Sequence, residues 1–187
     1  MGKVIVCAFM TLDGVIEDPD GSGGTSFGGW AFRYGPEAVA GDKFAMGSIL
    51  DTGLLLQGRR TWELFGKLFP SRTDDFSRKL TAMDKAVVSH SLTSVDAWAN
   101  SVLLTGDLVT EVKNLRDTRD VYVTGSQSVV DALREHDLVD QYRVIMFPLV
   151  VGQGRRLFEA SQPANLELSG LDQVGPAVRL TYDRVSA

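Results

Sequence analysis

Short strand-like runs alternate with amphipathic helical stretches along most of the chain, and this alternation predicts an α/β domain. Strands are predicted at "KVIVCAFM", "TGLLLQG", "KAVVSHS", "SVLLTG", "DVYVTG" and "DQYRVIMFPLVVGQG". Helices are predicted over residues 36–50, with Pro36 at the first position, and at "RRTWELFGKLF", "DLVTEVKNLRD" and "SQSVVDALREHD".

The C-terminal part departs from the alternation. Two runs with period-2 patterning, "ANLELSGL" and "AVRLTYDRV", flank the turn-forming segment "DQVGP". Val178, Leu180 and Tyr182 would then face one side of a strand. These runs predict an antiparallel hairpin, so the sheet as a whole is expected to be mixed.

Bulk properties narrow the class of protein. The 187 residues fit one domain, 1–187, with 44% hydrophobic and 23% charged residues. A net charge of −5 argues against a nucleic-acid surface. The single cysteine, Cys7, excludes an internal disulfide framework and a cysteine-based zinc site, and no metal site is expected. With no membrane-length apolar segment and no cleavage pattern after the first run, we expect a cytoplasmic protein without a membrane partner.

A long glycine-rich segment, from Asp13 to about Pro36, separates the first predicted strand from the first predicted helix. It has no apolar periodicity. The pattern indicates either a mobile loop over a functional site or a long linker.

The segment "GRRTWE", residues 58–63, follows a buried strand and begins a helix. A glycine at that junction lets a ligand approach the backbone, and the free N–H groups of a helix start bind anions. Arg59 and Arg60 add bidentate donors and Thr61 adds a hydroxyl. The alternative is a solvated arginine pair beside a helix cap. These residues alone do not distinguish an anion-binding site from such a pair.

Two further junctions resemble the first. "VYVTGSQS" places Thr124, Gly125 and Ser126 between a strand and a helix, and "SHS" places Ser89 and His90 after the "KAVV" strand. The serines and histidine could also form an ordinary solvated turn. Taken together, the three junctions predict one extended ligand with several phosphates, such as a dinucleotide.

The order of "TLDGVI", "LLLQGRRTWE", "AVVSHS", "VYVTGSQSVVDAL" and "LVDQYRVIMFPLVVGQGRRLF" resembles the dihydrofolate reductase superfamily. Within it, the chain is most similar to the reductase domain of riboflavin-biosynthesis deaminase-reductases (the RibD C-terminal domain) and its stand-alone relatives. The resemblance implies a three-layer fold: a mixed, mostly parallel sheet with helices on both faces and a C-terminal antiparallel hairpin.

The resemblance also implies NADPH as the cofactor. The residues that match the family's contacts to the pyrophosphate, 2′-phosphate, adenosine end and nicotinamide of NADPH are Gly58, Arg59, Arg60, Thr61, Ser89, His90, Gly125, Ser126, Gln127, Ala8, Phe9 and Ile16.

Substrate residues are predicted on separate grounds. Hydride transfer needs no protein nucleophile, but the reduced bond needs a proton source and an orienting group. Asp13 in "TLDG" is the leading candidate acid, and a turn-forming Asp-Gly is the alternative. Asp42 would lie on the apolar face of the helix predicted over residues 36–50, which suggests a second acid facing a cleft. Trp30 could line the same cleft or act as a packing anchor.

The function predicted from these features is NADPH-dependent reduction of a small heterocyclic, pterin- or pyrimidine-like substrate. The nearest named activity is 5-amino-6-(5-phosphoribosylamino)uracil reductase of riboflavin biosynthesis, although the family's serine-lysine-tryptophan segment and histidine-arginine pair are missing. Dihydrofolate reductase activity and a non-catalytic NADPH-binding protein are the alternatives. The apolar run "YRVIMFPLVVG" further predicts a homodimer.

Overall fold

The computed structural model describes residues 1–159 and 163–185. Over these residues the strands are β1 (Val4–Thr11), β2 (Leu54–Gly58), β3 (Asp84–Val88), β4 (Ser101–Leu104), β5 (Val121–Val123), β6 (Gln141–Phe147), β7 (Leu166–Val174) and β8 (Ala177–Arg184). They form an eight-stranded mixed sheet with the order β4-β3-β2-β5-β1-β6-β8-β7. The α/β class, the mixed sheet and the C-terminal hairpin predicted from the sequence are confirmed.

The helices lie around this sheet. A 3₁₀ helix covers Ala31–Tyr34, and the α-helices are α1 (Ile49–Thr52), α2 (Arg59–Leu68), α3 (Asp75–Ala82), α4 (Leu108–Thr118) and α5 (Gln127–Glu135). The chain divides into two compact units, Met1–Val6 with Met46–Gln141 and Cys7–Ala45 with Tyr142–Ala187. They are called the first and second units below. The expectation of one domain over residues 1–187 stays a prediction.

Parallel pairing organises the first unit. β2 pairs in parallel with both β3 and β5, and β3 pairs with β4. Every residue of β2 and of β5 is buried. Strands covered on both faces need continuous apolar runs rather than alternating patterns, which is why "LLLQG" and "VYV" read as unbroken strands in the sequence.

Helix α3 was not predicted, although its N-cap was visible in the sequence. Asp74 accepts hydrogen bonds from Ser77 N at 2.9 Å and Ser77 Oγ at 2.7 Å. These bonds lower the pKa of the Asp74 carboxyl. Asp107 caps α4 in the same way through Thr110 N, at 2.9 Å.

A buried cation lies in the first unit. Lys85 on β3 is 1% exposed, and its Nζ donates to the carbonyl oxygens of Thr81 (2.7 Å), Met83 (2.6 Å) and Ala99 (3.1 Å). The ammonium also lies 4.3 Å from the Trp98 ring centroid. Burial lowers the pKa of Lys85 to about 8, because desolvation penalises the charged form. The three carbonyls offset part of that penalty by accepting the three ammonium hydrogens.

The second unit has its own core and the hairpin. The buried residues of this core are Trp30, Ala31, Ala38, Ile145, Phe147 and Ala177. β7 and β8 pair in antiparallel register from Leu166↔Arg184 to Val174↔Ala177, with an irregularity between Leu168 and Gly170. Gly175 supplies the left-handed turn between the strands, with φ of 59°.

The prediction of a helix over residues 36–50 is wrong. Residues 36–48 form turns and bends, and only Ile49–Thr52 is helical. Gly41, Ala45 and Gly47 have φ values of 60°, 50° and 56°, and a right-handed helix cannot contain such left-handed residues. The helical face assigned to Asp42 therefore does not exist.

The apolar strand that motivated the predicted homodimer lies inside the sheet. β6 has β1 on one side and β8 on the other. Its hydrophobic residues are thus explained without a partner chain, and the homodimer stays a prediction.

Candidate functional site

Three strand ends of the first unit meet at one edge of the sheet. In the parallel registers, Gly58 lies beside Val88, and Leu56 lies beside Val123. The residues that follow these strands are therefore neighbours at their carboxyl ends. We call this group the carboxyl edge; its members are Gly58–Thr61, Ser89–His90 and Gly125–Gln127. The structure thus brings together the first-unit residues that the sequence predicted to contact a dinucleotide.

Two helices begin at the carboxyl edge. α2 starts at Arg59 and α5 at Gln127, directly after their N-cap residues Gly58 and Ser126. Gly58 has no side chain, and Ser126 Oγ pairs with Ser128 Oγ at 3.1 Å and caps no backbone N–H of α5. Both helix starts therefore present first-turn N–H groups without a side-chain cap, and their dipoles favour negative charge at the same edge.

The two loops of the edge touch through glycines. Gly58 N donates to Gly125 O at 2.9 Å. A Cβ at residue 58 would overlap Ser126 Oγ and lie 3.0 Å from Ser126 N. Gly125 has φ of 119°, and a Cβ there would lie 3.0 Å from Thr61 Oγ1. These contacts explain why the strand ends carry glycines: larger residues would push the loops apart.

The cations of the carboxyl edge face solvent. Arg59 and Arg60 are both exposed. Arg59 Nη1 lies 3.8 Å from Glu63 Oε1, and the two side chains are 43% and 39% exposed. An ion pair this exposed contributes little to stability, so it leaves the Arg59 guanidinium accessible to an anionic ligand. The Arg60 guanidinium is accessible because the residue is exposed.

The other polar side chains of the edge shape its loops. Ser89 Oγ accepts hydrogen bonds from Ser91 N (3.1 Å) and Leu92 N (3.0 Å), which orders the turn after β3. His90 is exposed. Gln127 Nε2 donates to Asp131 Oδ1 at 2.8 Å, so its side chain is directed along α5. A ligand contact from Gln127 would then come from its backbone.

Asp13 of the second unit joins two distant segments. Its Oδ1 accepts hydrogen bonds from Thr11 Oγ1 (2.6 Å) and Val151 N (3.2 Å), and its Oδ2 accepts one from Gly152 N (2.7 Å). The bond from the Thr11 hydroxyl is the largest cause that lowers the pKa of Asp13 to about 2, and the two backbone N–H groups add to it. An ionised carboxylate that accepts hydrogen bonds from three donors holds the chain in place. At neutral pH it has no proton to donate.

The segments that Asp13 joins belong to two of the motifs that carry the resemblance. Ile16 N donates to Arg155 O (2.9 Å), Leu157 N donates to Gly14 O (3.0 Å), and Leu12 N donates to Leu149 O (2.8 Å). "TLDGVI" and "PLVVGQGRRL" therefore form one substructure, although about 140 residues separate them. We call this substructure, residues 11–16 with 149–157, the clasp.

The glycine-rich segment after the clasp is organised by a second carboxylate. Asp18 is 9% exposed and accepts hydrogen bonds from Gly23 N (2.7 Å), Thr25 N (2.9 Å) and Thr25 Oγ1 (2.7 Å). Burial is the largest single influence on the pKa of Asp18 and raises it, but the hydrogen bonds from Thr25 and Gly23 together outweigh burial, so the pKa is lowered. The segment is thus internally bonded around one side chain that the sequence analysis did not single out.

The structure also places the two other residues predicted to bind substrate, Trp30 and Asp42. Trp30 is 0% exposed and its Nε1 donates to Glu17 O at 2.9 Å, which favours the packing-anchor alternative over a cleft wall. Asp42 is exposed in a turn, where its carbonyl accepts a hydrogen bond from Ala45 N at 3.0 Å. The predicted role of Asp42 therefore loses its helical argument.

An aromatic group with a lysine was missed by the sequence analysis. Lys43 Nζ lies 5.6 Å from the Phe9 ring centroid and 5.8 Å from that of Phe44. The two rings stack at 5.5 Å. Arg143 holds the adjoining turn by donating to Ala45 O at 2.8 Å. The only sequence signal was a lysine next to a phenylalanine in "GDKFA", which is too common to indicate a site.

The predicted nicotinamide contacts of Ala8, Phe9 and Ile16 lie in the second unit. All three residues are half-buried. The Ile16 N–H is already bonded to Arg155 O, so only its carbonyl could take part in the predicted backbone contact. These contacts stay predictions.

Two other kinds of site are absent from the part of the chain that the structure describes. Over residues 1–159 and 163–185, no group of three or more His, Cys, Asp or Glu residues is placed to hold a metal ion. None of the helices in the same ranges is long and apolar enough to cross a bilayer.

The strand order and the C-terminal hairpin define a dihydrofolate reductase-like fold. Residues 2–180 match the RibD C-terminal domain family, and the chain belongs to that family. It is 26% identical to the uncharacterised protein YyaP of Bacillus subtilis (strain 168) over 174 residues, which cover 89% of this chain and 86% of YyaP.

Solved structures show the same fold. A proposed riboflavin biosynthesis protein from Shewanella sp. PV-4 superposes with a TM-score of 0.75 at 20% identity, covering all of both chains. A diaminohydroxyphosphoribosylaminopyrimidine deaminase/5-amino-6-(5-phosphoribosylamino)uracil reductase from Thermotoga maritima gives a TM-score of 0.63 at 15% identity. That alignment covers 98% of this chain and 57% of the Thermotoga chain.

Proposed function

We propose that this protein is an NADPH-dependent reductase that acts on a small heterocyclic, pterin- or pyrimidine-like substrate. The observation that carries the proposal is the carboxyl edge. There, two helix starts without side-chain caps, two exposed arginines and a close glycine contact lie at the ends of neighbouring parallel strands. Membership of the RibD C-terminal domain family and the activity named for the Thermotoga relative support it.

The residues of the carboxyl edge fit a phosphorylated dinucleotide. Gly58 and Gly125 leave room for a pyrophosphate to approach the backbone, and the N–H groups that begin α2 and α5 would donate to it. Arg59 and Arg60 would pair with the 2′-phosphate of the adenosine ribose, since a guanidinium binds phosphate through two parallel hydrogen bonds. Bound NADPH would supply the hydride, and the protein would align the donor with the acceptor.

Asp13 has a different part in this proposal from the one predicted. A carboxyl with a pKa of about 2 is ionised at neutral pH, so it does not protonate the product there. We assign Asp13 to holding Val151 and Gly152 in place. The proton of the reaction would then come from solvent.

The substrate proposal separates into alternatives. Reduction of the ribosylamino-pyrimidine intermediate of riboflavin synthesis is the activity named for the Thermotoga relative. The dihydrofolate alternative rested on "GRRTWE" and on Asp42, and Asp42 is not in a helix. A non-catalytic NADPH-binding protein would bind the cofactor without oxidising it. Incubation with a panel of pterins and flavin precursors, followed by absorbance of NADPH, separates these three.

The direct test is fluorescence titration of the protein with NADPH and with NADH. We expect NADPH to bind with a Kd of about tens of micromolar or lower. Replacing Arg59 and Arg60 together by glutamine should weaken NADPH binding about 10- to 100-fold and NADH binding much less, because only NADPH carries the 2′-phosphate.

The matched control is Arg78→Gln. Arg78 is an exposed arginine on α3, paired at 3.4 Å with Asp75, and its replacement removes one positive charge away from the carboxyl edge. It should leave both affinities unchanged. No saturable NADPH binding by the wild type, or an equal loss in the Arg78 variant, would defeat the proposal.

A further inference from the structure

A buried glutamine lies directly behind the carboxyl edge. Gln57, the fourth residue of β2, is 0% exposed and follows three buried leucines. Its Nε2 donates to Thr124 Oγ1 at 2.9 Å, while Oε1 has no hydrogen-bond partner among the residues that the structure describes. Turning the amide over would exchange the two atoms and still leave one of them unpaired.

An unpaired polar atom in a buried strand lowers stability, because the atom loses its hydrogen bonds to water and gains none in return. A leucine, the residue at the three preceding positions, would avoid this loss. The stability of the fold therefore does not explain the glutamine. Buried polar groups that cost stability often serve the function of a site.

The hydrogen bond from Gln57 Nε2 to Thr124 Oγ1 is called the amide bridge below, and its position indicates its role. β2 and β5 are parallel neighbours with Leu56 beside Val123, so Gln57 and Thr124 are the next pair along the two strands. Each directly precedes a glycine of the carboxyl edge, Gly58 and Gly125. The bridge thus joins the two strands one residue before the Gly58 N–Gly125 O bond of 2.9 Å.

We propose that Gln57 is a positioning residue: its amide bridge to Thr124 sets the spacing of the Gly58 and Gly125 loops and thereby the affinity of the carboxyl edge for a dinucleotide phosphate. This inference rests on the proposed NADPH site. It accounts for a polar residue in "LLLQG", where the apolar strand alone gives no reason for one. Gln57 acts through the loops and needs no contact with the ligand.

The experiment compares thermal stability with NADPH affinity in the same variants. Gln57→Leu removes the bridge and the unpaired atom, so the melting temperature should stay the same or rise by about 2–4 °C. The Kd for NADPH should increase about 5- to 10-fold. Thr124→Val removes the other half of the bridge and should weaken binding to a similar extent, whereas Thr124→Ser keeps the hydroxyl and should restore wild-type affinity.

The double variant Gln57→Leu/Thr124→Val tests whether the two residues act together. If they do, its Kd will match that of either single variant rather than the product of both effects. The matched control is Thr81→Val, which removes another buried side-chain oxygen without a partner, on α3. It should raise the melting temperature without changing the Kd.

The outcomes are distinct. If the Gln57→Leu protein binds NADPH with wild-type affinity, the inference is overturned. It is also overturned if the variant loses both stability and affinity or fails to fold, because the glutamine would then be structural. Additive effects in the double variant overturn it as well. If the wild type itself binds no NADPH, the proposed function fails; if it binds and Gln57→Leu binds equally, only this inference fails.

Discussion

The carboxyl edge and the clasp are both built where polar residues follow a strand, yet their polar groups are used in opposite ways. At the carboxyl edge, neither Gly58 nor Ser126 caps the backbone N–H groups that begin α2 and α5, and the Arg59 side chain is 43% exposed. In the clasp, both carboxylate oxygens of Asp13 are occupied by hydrogen bonds from the protein. The first region leaves hydrogen-bond donors exposed at the sheet edge, and the second uses its polar groups to hold two segments of the chain together.

This difference teaches that residue type alone does not identify a binding group. Asp13 and Arg59 both have charged side chains, and each lies next to a glycine in a short motif. What separates them is how fully the protein occupies the side chain: Arg59 has an exposed contact of 3.8 Å to Glu63, whereas both oxygens of Asp13 accept hydrogen bonds. The following predictions test that separation, from the largest expected effect to the smallest.

Gly58→Ala should have the largest effect on binding. The new Cβ would overlap Ser126 Oγ and lie 3.0 Å from Ser126 N, so the two loops of the carboxyl edge would move apart. We expect NADPH affinity to fall about 100-fold, or about 2.7 kcal/mol, in a fluorescence titration. Gly66→Ala on α2 is the matched control, because its Cβ would meet ordinary contacts at 3.4 Å. Wild-type affinity in the Gly58 variant would show that the glycine contact does not shape the site.

Lys85→Met should affect the stability of the first unit without affecting binding. It removes three hydrogen bonds to the carbonyls of Thr81, Met83 and Ala99 and should destabilise the protein by about 2 kcal/mol at pH 7. Urea unfolding monitored by circular dichroism measures this loss. A large loss of NADPH affinity would contradict the distinction between this buried cation and the exposed arginines.

The pH dependence of Lys85 has a defined sign. Its pKa falls from 10.5 to about 8 on folding, so between these values the unfolded chain binds more protons than the folded one. The wild type should therefore gain stability from this group as the pH rises from about 8 to 10.5. The Lys85→Met protein lacks this gain, and the difference between the two unfolding free energies over this range isolates it. A difference that is constant with pH would contradict the lowered pKa.

Asp13→Ala should destabilise the second unit by about 1.5 kcal/mol at neutral pH, because charge-assisted hydrogen bonds to Val151 and Gly152 are lost. The pKa of Asp13 is lowered on folding from 3.8 to about 2. Its stabilisation is thus present above about pH 4 and disappears as the pH falls toward 2. The unfolding free energies of wild type and variant should converge over that range.

Asp13→Asn separates the clasp from the acid role predicted for this residue. If Asp13 donated a proton in catalysis, kcat would collapse while stability changed little. We expect stability to fall and kcat to change less than KM. A collapse of kcat at wild-type stability would restore the original assignment.

Asp42→Asn should have the smallest effect. Asp42 is exposed in a turn of the second unit. We expect the unfolding free energy of the Asp42→Asn protein to stay within about 0.5 kcal/mol of the wild-type value. A fall in turnover without a loss of NADPH binding would return Asp42 to the substrate site despite the missing helix.

The predictions that held rest on local patterns. Continuous apolar runs identified the strands, and glycines followed by cations or hydroxyls marked the strand-to-helix junctions, because parallel strands need both faces apolar and tight junctions need glycine. Where local signals conflicted, prediction failed. In residues 36–50 an apolar spacing typical of a helix conflicts with Gly41 and Gly47, and both glycines adopt left-handed φ values that end the pattern.

The amino-acid order alone was enough to indicate an α/β fold and the junctions that compose the carboxyl edge, since hydrophobic period and turn chemistry act over a few neighbouring residues. Tertiary structure decided which hydrogen-bond partner each of several polar groups has. Asp13 meets Gly152, Gln57 meets Thr124, and Lys85 meets Ala99 through chain folding. A hydrogen bond depends on where its partner lies in space, and for these residues the partner is distant in sequence.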